Sequence, residues 1–399
     1  MNLKINNNFK QNIFIIENTE LGSHLPLSVY LTDLLKKFVL SKNLNLNLII
    51  SQSENIPQEI RNRVSRINQI NVSLYSVKGN LKFSWQAFQI LKRENRKQKI
   101  DIIHCLYPNS SLLAAVLFKI FCNWKTKIIY DVRSPWIEMS CARGYINKKI
   151  APLYKFILYL EEFFLTRFVN YFVFITEGLK KYYAKKIFIN LRKSKVIPSG
   201  VDTNLFTFRE SNVRQKYGIK ETDILLGIIG TLGKERELEF LIKAFGKLWQ
   251  TDKRYKLMIV GDGRARESLE SLVKALKIDN NIIFTGKINH QLVPDYISSF
   301  DMGICHLPDI FVFRQSFPLK ILEYLSCGIP VLASDIKAHR EIAENLKNIY
   351  LYKLDKNDFM DTVKKVNLNK PYSASKQTLR NFYDWTSLSR RYTAIYDKF

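Results

Sequence analysis

Cysteine is scarce in this sequence, and its placement excludes a disulfide-stapled secreted scaffold. The number of cysteines is odd, and their spacing matches neither a metal site nor a regular disulfide framework. We therefore expect reduced thiols in a reducing compartment. The five cysteines lie at positions 105, 122, 141, 305 and 327.

The sequence also lacks a long apolar run. No segment has the roughly 20 consecutive apolar residues that a membrane-spanning helix needs. Residues 1–10 are polar and the apolar run after them is short, so a cleavable signal peptide is not expected. These absences predict a cytoplasmic protein, or one that is peripheral on the inner face of the cytoplasmic membrane.

Acidic residues are few in the first half of the chain. Residues 1–200 hold 31 basic and 12 acidic side chains, whereas residues 201–399 hold 31 and 24. A strongly basic half favours an anionic partner such as a membrane surface or a lipid-phosphate acceptor. Nucleic acid is not expected, because no nucleic-acid module is recognisable. Residues 147–168 form a basic amphipathic pattern, which predicts a helix that lies on an anionic membrane or packs on its own sheet.

Short apolar runs alternate with helical stretches along the chain, which predicts crossover units and parallel sheets. The 399 residues suffice for two domains. We expect Rossmann-like domains at residues 1–200 and 201–382, facing each other across a cleft, and a terminal helix at 383–399. The predicted strands are 12–16, 46–51, 72–77, 102–106, 127–132, 171–176, 195–198, 224–230, 256–260, 281–285, 302–306, 330–334 and 349–354.

Residues 317–335 are the most informative segment. Pro318 suits the first position of a helix, and Gly328 can take the left-handed conformation that ends one. Lys320 and Glu323 are three residues apart, so both project from one helix face. A helix N-terminus beside a lysine attracts phosphate, and a carboxylate one turn later can accept hydrogen bonds from sugar hydroxyls. The pattern predicts a nucleotide-sugar site.

Segment 317–335 resembles the signature helix of GT-B glycosyltransferases, especially glycosyltransferase family 4 (glycosyl transferases group 1). Other stretches resemble the same family in the same order: 196–206, 230–244, and 260–263 followed by 284–287. The resemblance implies the GT-B fold, an α/β architecture of two Rossmann-like domains facing each other across a cleft. It also implies that the C-terminal helix crosses back and packs on the first domain.

The same resemblance implies a retaining, metal-independent glycosyltransferase of the hexosyltransferase type, with no cofactor. It would move a sugar from a nucleoside-diphosphate donor, held by the second domain, to a glycan or lipid-linked acceptor on the first. Bacterial surface polysaccharide assembly is the expected setting. Thr231, Gln315 and Tyr130 depart from the family pattern, so two alternatives stay open: a degenerate, non-catalytic binding partner and a GT-B nucleotide-sugar 2-epimerase.

By resemblance, Arg236 and Lys320 are the cations that stabilise negative charge on the leaving diphosphate. Arg236 stands where the family usually has a lysine. The family's partner arginine is Thr231 here, and Lys234 could reach in instead. These cations form the donor side of the predicted catalytic set.

On the acceptor side, the resemblance points to the loop after the strand at 127–132. Asp131 could orient the acceptor hydroxyl, and Arg133 could support it or hold an anionic acceptor. A structural ion pair is the alternative for both. His104 is expected to be a packed histidine, and His306 and His339 show no metal partners.

Donor binding is predicted around the same signature helix. Glu323 would bind the ribose hydroxyls, and Gln315 stands where the family often has a glutamate that contacts the sugar. Glycines would allow the backbone to approach the ligand closely, and N–H groups before the helix would face sugar or phosphate. The predicted donor-binding residues are Gly22, Ser23, Lys234, Asp262, Gly263, Gly286, Lys287, Gln315, Ser316, Phe317, Pro318, Leu319 and Glu323.

Overall fold

A computed structural model of the chain describes residues 11–20, 31–35, 44–53, 56–73, 76–142, 149–368 and 376–399. The described residues form two compact units. The first unit is built from the chain up to Cys141, the segment that ends at Ser199, and the C-terminal segment Trp385–Phe399. The second unit is built on Gly200–Asp384.

The first unit contains a seven-stranded sheet whose strand pairs are all parallel. Its strands are β1 (Gln11–Glu20), β2 (Leu44–Ser51), β3 (Arg66–Ile70), β4 (Ile102–Leu106), β5 (Lys127–Val132), β6 (Tyr171–Phe174) and β7 (Ser194–Val196). They lie in the order β3-β2-β1-β4-β5-β6-β7. The described helices are α1 (Gln58–Arg61), α2 (Val77–Lys97), α3 (Asn109–Phe121), α4 (Trp136–Ala142), α5 (Ala151–Thr166) and α6 (Glu177–Ile187), with a 3-10 turn at Leu191–Lys193 and further helical residues at 31–35.

The second unit contains a six-stranded parallel sheet in the order β10-β9-β8-β11-β12-β13. These strands are β8 (Ile224–Ile229), β9 (Tyr255–Val260), β10 (Ile282–Gly286), β11 (Met302–Cys305), β12 (Val331–Ser334) and β13 (Ile349–Tyr352). The helices are α7 (Val213–Lys216), α8 (Leu238–Thr251), α9 (Arg266–Ala275), α10 (Val293–Ser298), α11 (Phe311–Arg314), α12 (Leu319–Ser326), α13 (Lys337–Ala343), α14 (Lys356–Lys365) and α15 (Lys376–Phe382). Short 3-10 turns occur at Lys234–Arg236, Asp279–Asn281 and His290–Leu292.

The last helix, α16 (Trp385–Tyr396), belongs to the first unit although it follows the second in sequence. Its apolar residues are buried in the core cluster that includes residues of β1, β2 and β4. Helical spacing places these residues on one side, so the helix presents a continuous apolar face to the core. They are Trp385, Leu388, Tyr392, Ile395 and Tyr396.

The strand order of both sheets reverses next to the first strand of each unit. The reversal lies between β1 and β4 in the first unit and between β8 and β11 in the second. In open α/β sheets of this kind, ligands bind outside the carboxyl ends of the strands at such a point. The fold therefore directs attention to the loops that follow β1, β4, β8 and β11.

The predicted strand at 72–77 is wrong. The third strand is instead β3, Arg66–Ile70, and α2 already begins at Val77. Strand β3 is an edge strand that pairs only with β2, and most of its side chains are exposed or half-buried. A polar edge strand lacks the apolar run used to predict buried parallel strands.

The predicted α/β class, with two Rossmann-like domains and a C-terminal helix on the first, is confirmed. The helix and strand rhythm made this prediction possible because parallel strands require crossover connections. Within the described ranges, no helix is long and apolar enough to cross a membrane.

Candidate functional site

Helix α12 lies where the sequence predicts a phosphate site. The helix begins at Leu319 and Pro318 precedes it as the N-cap residue, so the proline lies one position before the predicted one. Gly328 takes a left-handed φ of 80° at the other end. Its N–H donates to the Leu325 carbonyl at 3.0 Å, and β12 starts at Val331. Local sequence therefore sets both ends of this helix, as expected.

Lys320 and Glu323 form an ion pair on the first turns of α12. The Lys320 Nζ atom lies 2.6 Å from Glu323 Oε2. The lysine side chain is 32% exposed, whereas the glutamate side chain is only 3% exposed. The ammonium group is thus the solvent-facing member of the pair, and it neutralises a carboxylate that would be costly to bury alone.

Arg236 belongs to the same unit as this pair. It ends the short 3-10 turn Lys234–Arg236 that follows β8. The charges of Arg236, Lys320 and Glu323 all act on the thiol of Cys305, the last residue of β11. Burial raises the pKa of that thiol to about 12, Arg236 and Lys320 oppose the rise, and Glu323 adds to it. Because Coulomb interactions weaken with distance, all three charges act within electrostatic range of the carboxyl end of β11.

Two glycine turns pack against each other beside Arg236. Gly261 has φ of 139°, and a Cβ atom there would lie 1.9 Å from the Gly230 carbonyl oxygen. Gly263 has φ of 158°, and its Cβ would lie 2.4 Å from the Leu232 carbonyl oxygen. Only glycine combines these backbone angles with such close approach. The turns after β8 and β9 therefore form one rigid edge.

Asp262 lies in this edge but is already bound to neighbours. Its Oδ2 accepts a hydrogen bond from Arg266 at 3.2 Å, and its Oδ1 accepts one from the Gly263 N–H at 2.8 Å. The Gly286 carbonyl accepts from the Gly261 N–H at 3.0 Å, which joins the turn after β10 to the same edge. Lys287, the next residue, and Lys234 are exposed. The predicted residues of the three turns thus lie along neighbouring strand ends.

The residues just before α12 make more hydrogen bonds within their own turn than predicted. The Ser316 N–H donates to the Phe313 carbonyl at 3.2 Å, and the Ser316 hydroxyl donates to the same oxygen at 2.8 Å. The Leu319 N–H donates to the Phe317 carbonyl at 3.0 Å. The Ser316 N–H, which was predicted to face a ligand, and the first N–H of the helix are therefore engaged within the turn. Gln315 is buried at the end of α11.

Asp131 and Arg133, the predicted acceptor-side residues, lie in the core of the first unit. Asp131 is 0% exposed and accepts a hydrogen bond from the Tyr392 hydroxyl of α16 at 2.7 Å. Arg133 is buried, lies 3.5 Å from Asp131, and donates to the Ile197 carbonyl and the Ser199 hydroxyl at 3.0 and 2.9 Å. Asp131 keeps a pKa below its usual range although burial alone would raise it, because Arg133, His104 and Tyr392 stabilise the charged form. This geometry favours the structural ion pair, and contact of Asp131 or Arg133 with a substrate stays a prediction.

Tyr130 and Asp131 point to opposite faces of the first sheet, as neighbours in a strand do. Tyr130 is buried, and its hydroxyl lies 2.9 Å from Asn109 Oδ1 and 3.1 Å from Glu162 Oε1. Glu162 belongs to α5 and is 0% exposed. Burial raises the pKa of Glu162 to about 8, so this carboxyl is protonated at neutral pH. Sequence reasoning missed this group, although an acidic pair inside an otherwise apolar helix face was a visible signal.

A second buried acid was also missed. Glu17, near the carboxyl end of β1, is 0% exposed. Burial raises its pKa well above the usual range; Asp131 raises it further and Arg133 lowers it. The signal was a glutamate that directly follows an apolar strand run. Its position next to the strand-order reversal places a buried carboxyl where this fold class receives ligands.

His104 and His306 serve as packed residues. His104 Nδ1 lies 2.7 Å from the Tyr396 hydroxyl, as expected for a buried histidine. His306 Nδ1 lies 2.7 Å from the Tyr352 hydroxyl, and burial lowers the pKa of His306 to about 4. Across the described ranges, no three His, Cys, Asp or Glu side chains come together as metal ligands. Gly22 and Ser23, two predicted donor residues, lie outside the described residues.

Comparison with known proteins identifies the family on both halves of the chain. The family described as "Glycosyltransferase Family 4" matches residues 30–205, and "Glycosyl transferases group 1" matches residues 209–380. The N-acetyl-alpha-D-glucosaminyl L-malate synthase of Bacillus anthracis is 22% identical over 71% of this chain and 69% of its own length. The O-antigen biosynthesis glycosyltransferase WclY of Escherichia coli is 24% identical over 65% and 69%. For other curated relatives the match spans as little as 34% of the relative's length.

A solved structure shows the same fold over nearly the whole chain. The Anabaena protein HepE, in complex with UDP and glucose, aligns with a TM-score of 0.73 at 14% identity, covering 97% of this chain and 99% of that chain. The two family matches are consecutive and together leave only short segments of the chain unmatched. The chain therefore belongs to the GT-B glycosyltransferases of the group 1 and family 4 type.

Proposed function

We propose that this chain is a retaining glycosyltransferase that takes its sugar from a nucleoside-diphosphate donor. The observation that carries the proposal is the cluster of Arg236, Lys320 and Glu323 at the carboxyl end of β11. Two cations there can face a diphosphate, and a carboxylate can face a ribose. The cluster lies next to the reversal of strand order, where this fold class binds nucleotides.

Each side chain of the cluster has a distinct task in this proposal. Lys320 is half-buried and flexible enough to leave Glu323 for the leaving diphosphate, where a cation stabilises growing negative charge. Glu323 then accepts hydrogen bonds from ribose hydroxyls. Arg236 holds the diphosphate from the turn after β8. Gln315 offers an uncharged amide to the sugar.

The proposed transfer needs neither a metal ion nor a cofactor. The bond between the anomeric carbon and the diphosphate oxygen breaks, and a bond to the acceptor oxygen forms on the same face of the sugar. The acceptor's proton passes to the departing diphosphate oxygen. This route requires no side-chain base, which agrees with the burial of Asp131.

The proposed acceptor is a glycan or lipid-linked sugar of bacterial surface polysaccharide assembly. The name of the WclY relative, an O-antigen biosynthesis glycosyltransferase, supports this setting. The UDP complex of HepE supports a nucleoside diphosphate as the donor's leaving group. The enzyme would bind such an acceptor at the cytosolic side of the membrane.

A thermal-shift screen against nucleoside diphosphates and their sugars tests donor binding. A ligand present at about 100 times its dissociation constant stabilises the folded state by about 2.7 kcal/mol, which raises the melting temperature measurably. At least one nucleoside diphosphate should do so, and Lys320→Met should reduce the shift. Lys337→Met is the matched control, because Lys337 forms an exposed pair with Glu341 on α13. If none of the compounds shifts the melting temperature, the proposal fails.

Product analysis separates transfer from the two alternatives. A degenerate binding partner would bind the donor yet release no nucleoside diphosphate. An epimerase would change the sugar without needing an acceptor. A transferase releases nucleoside diphosphate and joins the sugar to an acceptor with unchanged anomeric configuration, which proton NMR of the product reads directly.

A further inference from the structure

A basic groove lies at the amino ends of β4, β5 and β6 in the first unit. It has a volume of about 700 Å³ and is lined by the residues just before these three strands. Asp131 and the ligand-binding edge at the reversal of strand order between β1 and β4 lie at the opposite, carboxyl ends of the strands. The groove, called the amino-edge groove below, is therefore separate from the edge where this fold class binds its substrates.

The charge in this groove is nearly all of one sign. The only carboxylate among its lining side chains is Asp101, whose two oxygens already interact with the Asn12 N–H at 3.0 Å and with Lys99 Nζ at 3.6 Å. Uncompensated basic side chains attract anions from solution. The six basic lining residues are Lys99, Lys119, Lys125, Lys127, Arg167 and Lys193.

Two of these lysines repel each other in the present arrangement. Lys119 is buried, and its Nζ donates to Asn170 Oδ1 at 2.7 Å and to the Phe168 carbonyl at 3.3 Å. Burial and, to a smaller extent, the neighbouring charge of Lys127 together lower the pKa of Lys119 to about 8. Neither lysine makes an ion pair with a carboxylate within the described part of the chain. A bound anion would relieve this repulsion.

Large exposed aromatic side chains occur in the groove and in chain segments next to its lining residues. Trp124 is 65% exposed and packs edge-on against Phe168 at a centroid distance of 5.9 Å. Phe121, at the end of α3, is 71% exposed, and Phe188, just after α6, is 72% exposed. Aromatic side chains exposed together beside cations are typical of surfaces that enter the interfacial region of a bilayer.

Arg167 connects the groove to this aromatic rim. Its guanidinium donates to the carbonyls of Phe163, Phe188 and Ile187, and its carbon lies 4.3 Å from the Phe163 ring centroid. These bonds fix the ends of α5 and α6 side by side. Further exposed apolar residues lie along α5, whose last turn precedes Arg167; they are Leu153, Phe156, Ile157, Leu160 and Phe164.

We propose that the amino-edge groove and its aromatic rim dock onto an anionic phospholipid bilayer. The exposed basic side chains of the groove bind lipid phosphates, while Trp124, Phe121 and Phe188 enter the headgroup layer. Charge complementarity selects this occupant, because a second copy of the chain would present the same positive charge. The amphipathic helix predicted at residues 147–168 then forms one side of a larger docking surface. One face of this helix packs on the sheet, and the solvent-facing face contacts the bilayer.

Sedimentation with sucrose-loaded vesicles tests this docking on the full chain. Vesicles of phosphatidylcholine with about 30% phosphatidylglycerol should bind at least about tenfold more tightly than phosphatidylcholine alone, and raising salt from about 0.1 to 0.5 M should weaken binding. The double variant Lys125→Glu/Lys193→Glu should lose at least about thirtyfold in vesicle affinity, about 2 kcal/mol, since each basic residue near an anionic surface contributes about 1 kcal/mol. Lys243→Glu/Lys274→Glu, on exposed helix faces of the second unit, is the control with the same change in net charge.

A second variant separates docking from folding. Phe188 has a left-handed φ of 52°, a conformation that asparagine tolerates better than phenylalanine. Phe188→Asn should therefore keep the melting temperature at or above that of the wild type while it weakens vesicle binding by about tenfold, since a phenylalanine ring is lost from the headgroup layer.

Three results would overturn the proposal. These are equal binding to neutral and anionic vesicles, an equal loss of binding in the control double variant, and wild-type vesicle binding by Lys125→Glu/Lys193→Glu. If that variant instead loses only affinity for RNA, the groove belongs to a nucleic acid. Donor binding, measured by thermal shift, should be unchanged in all of these variants, so failure of docking and failure of the proposed activity are distinguishable.

Discussion

Replacing Glu162 with glutamine should change how the stability of the first unit depends on pH. The carboxyl of Glu162 is buried and burial raises its pKa to about 8, while hydrogen bonds with Tyr130 and Tyr183 oppose the rise. A protonated Glu162 can donate to the Tyr130 hydroxyl, which in turn donates to Asn109. Glutamine keeps the size and the hydrogen-bonding groups but cannot ionise.

The magnitude follows from proton linkage. In the unfolded chain Glu162 titrates near its usual pKa of 4.5, and in the folded chain near 8. Between these values the folded state holds one proton more than the unfolded state, so the wild type loses about 1.4 kcal/mol of unfolding free energy per pH unit. The stability associated with Glu162 is fully present below pH 4.5 and absent above about pH 8, a loss of about 5 kcal/mol over the window.

Urea unfolding at several pH values measures this effect. Hydrogen-exchange mass spectrometry of peptides from β5 reports the first unit alone, which matters because a chain of two units need not unfold in one step. Between pH 5.5 and 7.5, Glu162→Gln should gain about 2 to 3 kcal/mol relative to the wild type. Glu177→Gln, at an exposed site on α6, is the control and should follow the wild-type profile. Parallel profiles for the wild type and Glu162→Gln would refute the reasoning.

The remaining predictions concern the donor site. Lys320→Met should lower turnover at least tenfold, about 1.4 kcal/mol, because it removes a cation from the leaving group; wild-type turnover would remove Lys320 from the mechanism. Glu323→Ala should raise the Michaelis constant for the donor more than it lowers turnover, and unchanged donor affinity in steady-state kinetics would argue against ribose binding. Treatment with EDTA should leave turnover unchanged, and an activity lost with EDTA and restored by a divalent cation would contradict the metal-independent step.

Local sequence was enough to predict the elements that carry their own signals. The ends of α12 follow from Pro318 and Gly328, and the buried strands follow from short apolar runs between helical stretches. The spacing of Lys320 and Glu323 also predicted that they share a helix face, which is where the structure pairs them. Strand β3 could not be found in this way, because an edge strand needs no apolar run and its pairing with β2 is decided by tertiary contacts.

Long-range contacts explain why the acceptor side was predicted less well. Asp131 is neutralised by Arg133 nearby in sequence, but its hydrogen bond comes from Tyr392, which is 261 residues away. Glu162 meets Tyr130 only because α5 packs over the sheet. A sequence does not show whether charged residues after a strand will contact a substrate or the last helix of the chain. The sequence pattern therefore left both interpretations open, and burial in the folded unit favours the structural ion pair.

A crystal structure of the chain with the nucleoside diphosphate that shifts its melting temperature most tests the central claim directly. The account predicts diphosphate oxygens within hydrogen-bonding distance, about 3 Å, of Lys320 Nζ and the Arg236 guanidinium, with the ribose beside Glu323. A nucleotide bound elsewhere, with the ion pair of Lys320 and Glu323 still intact, would contradict it.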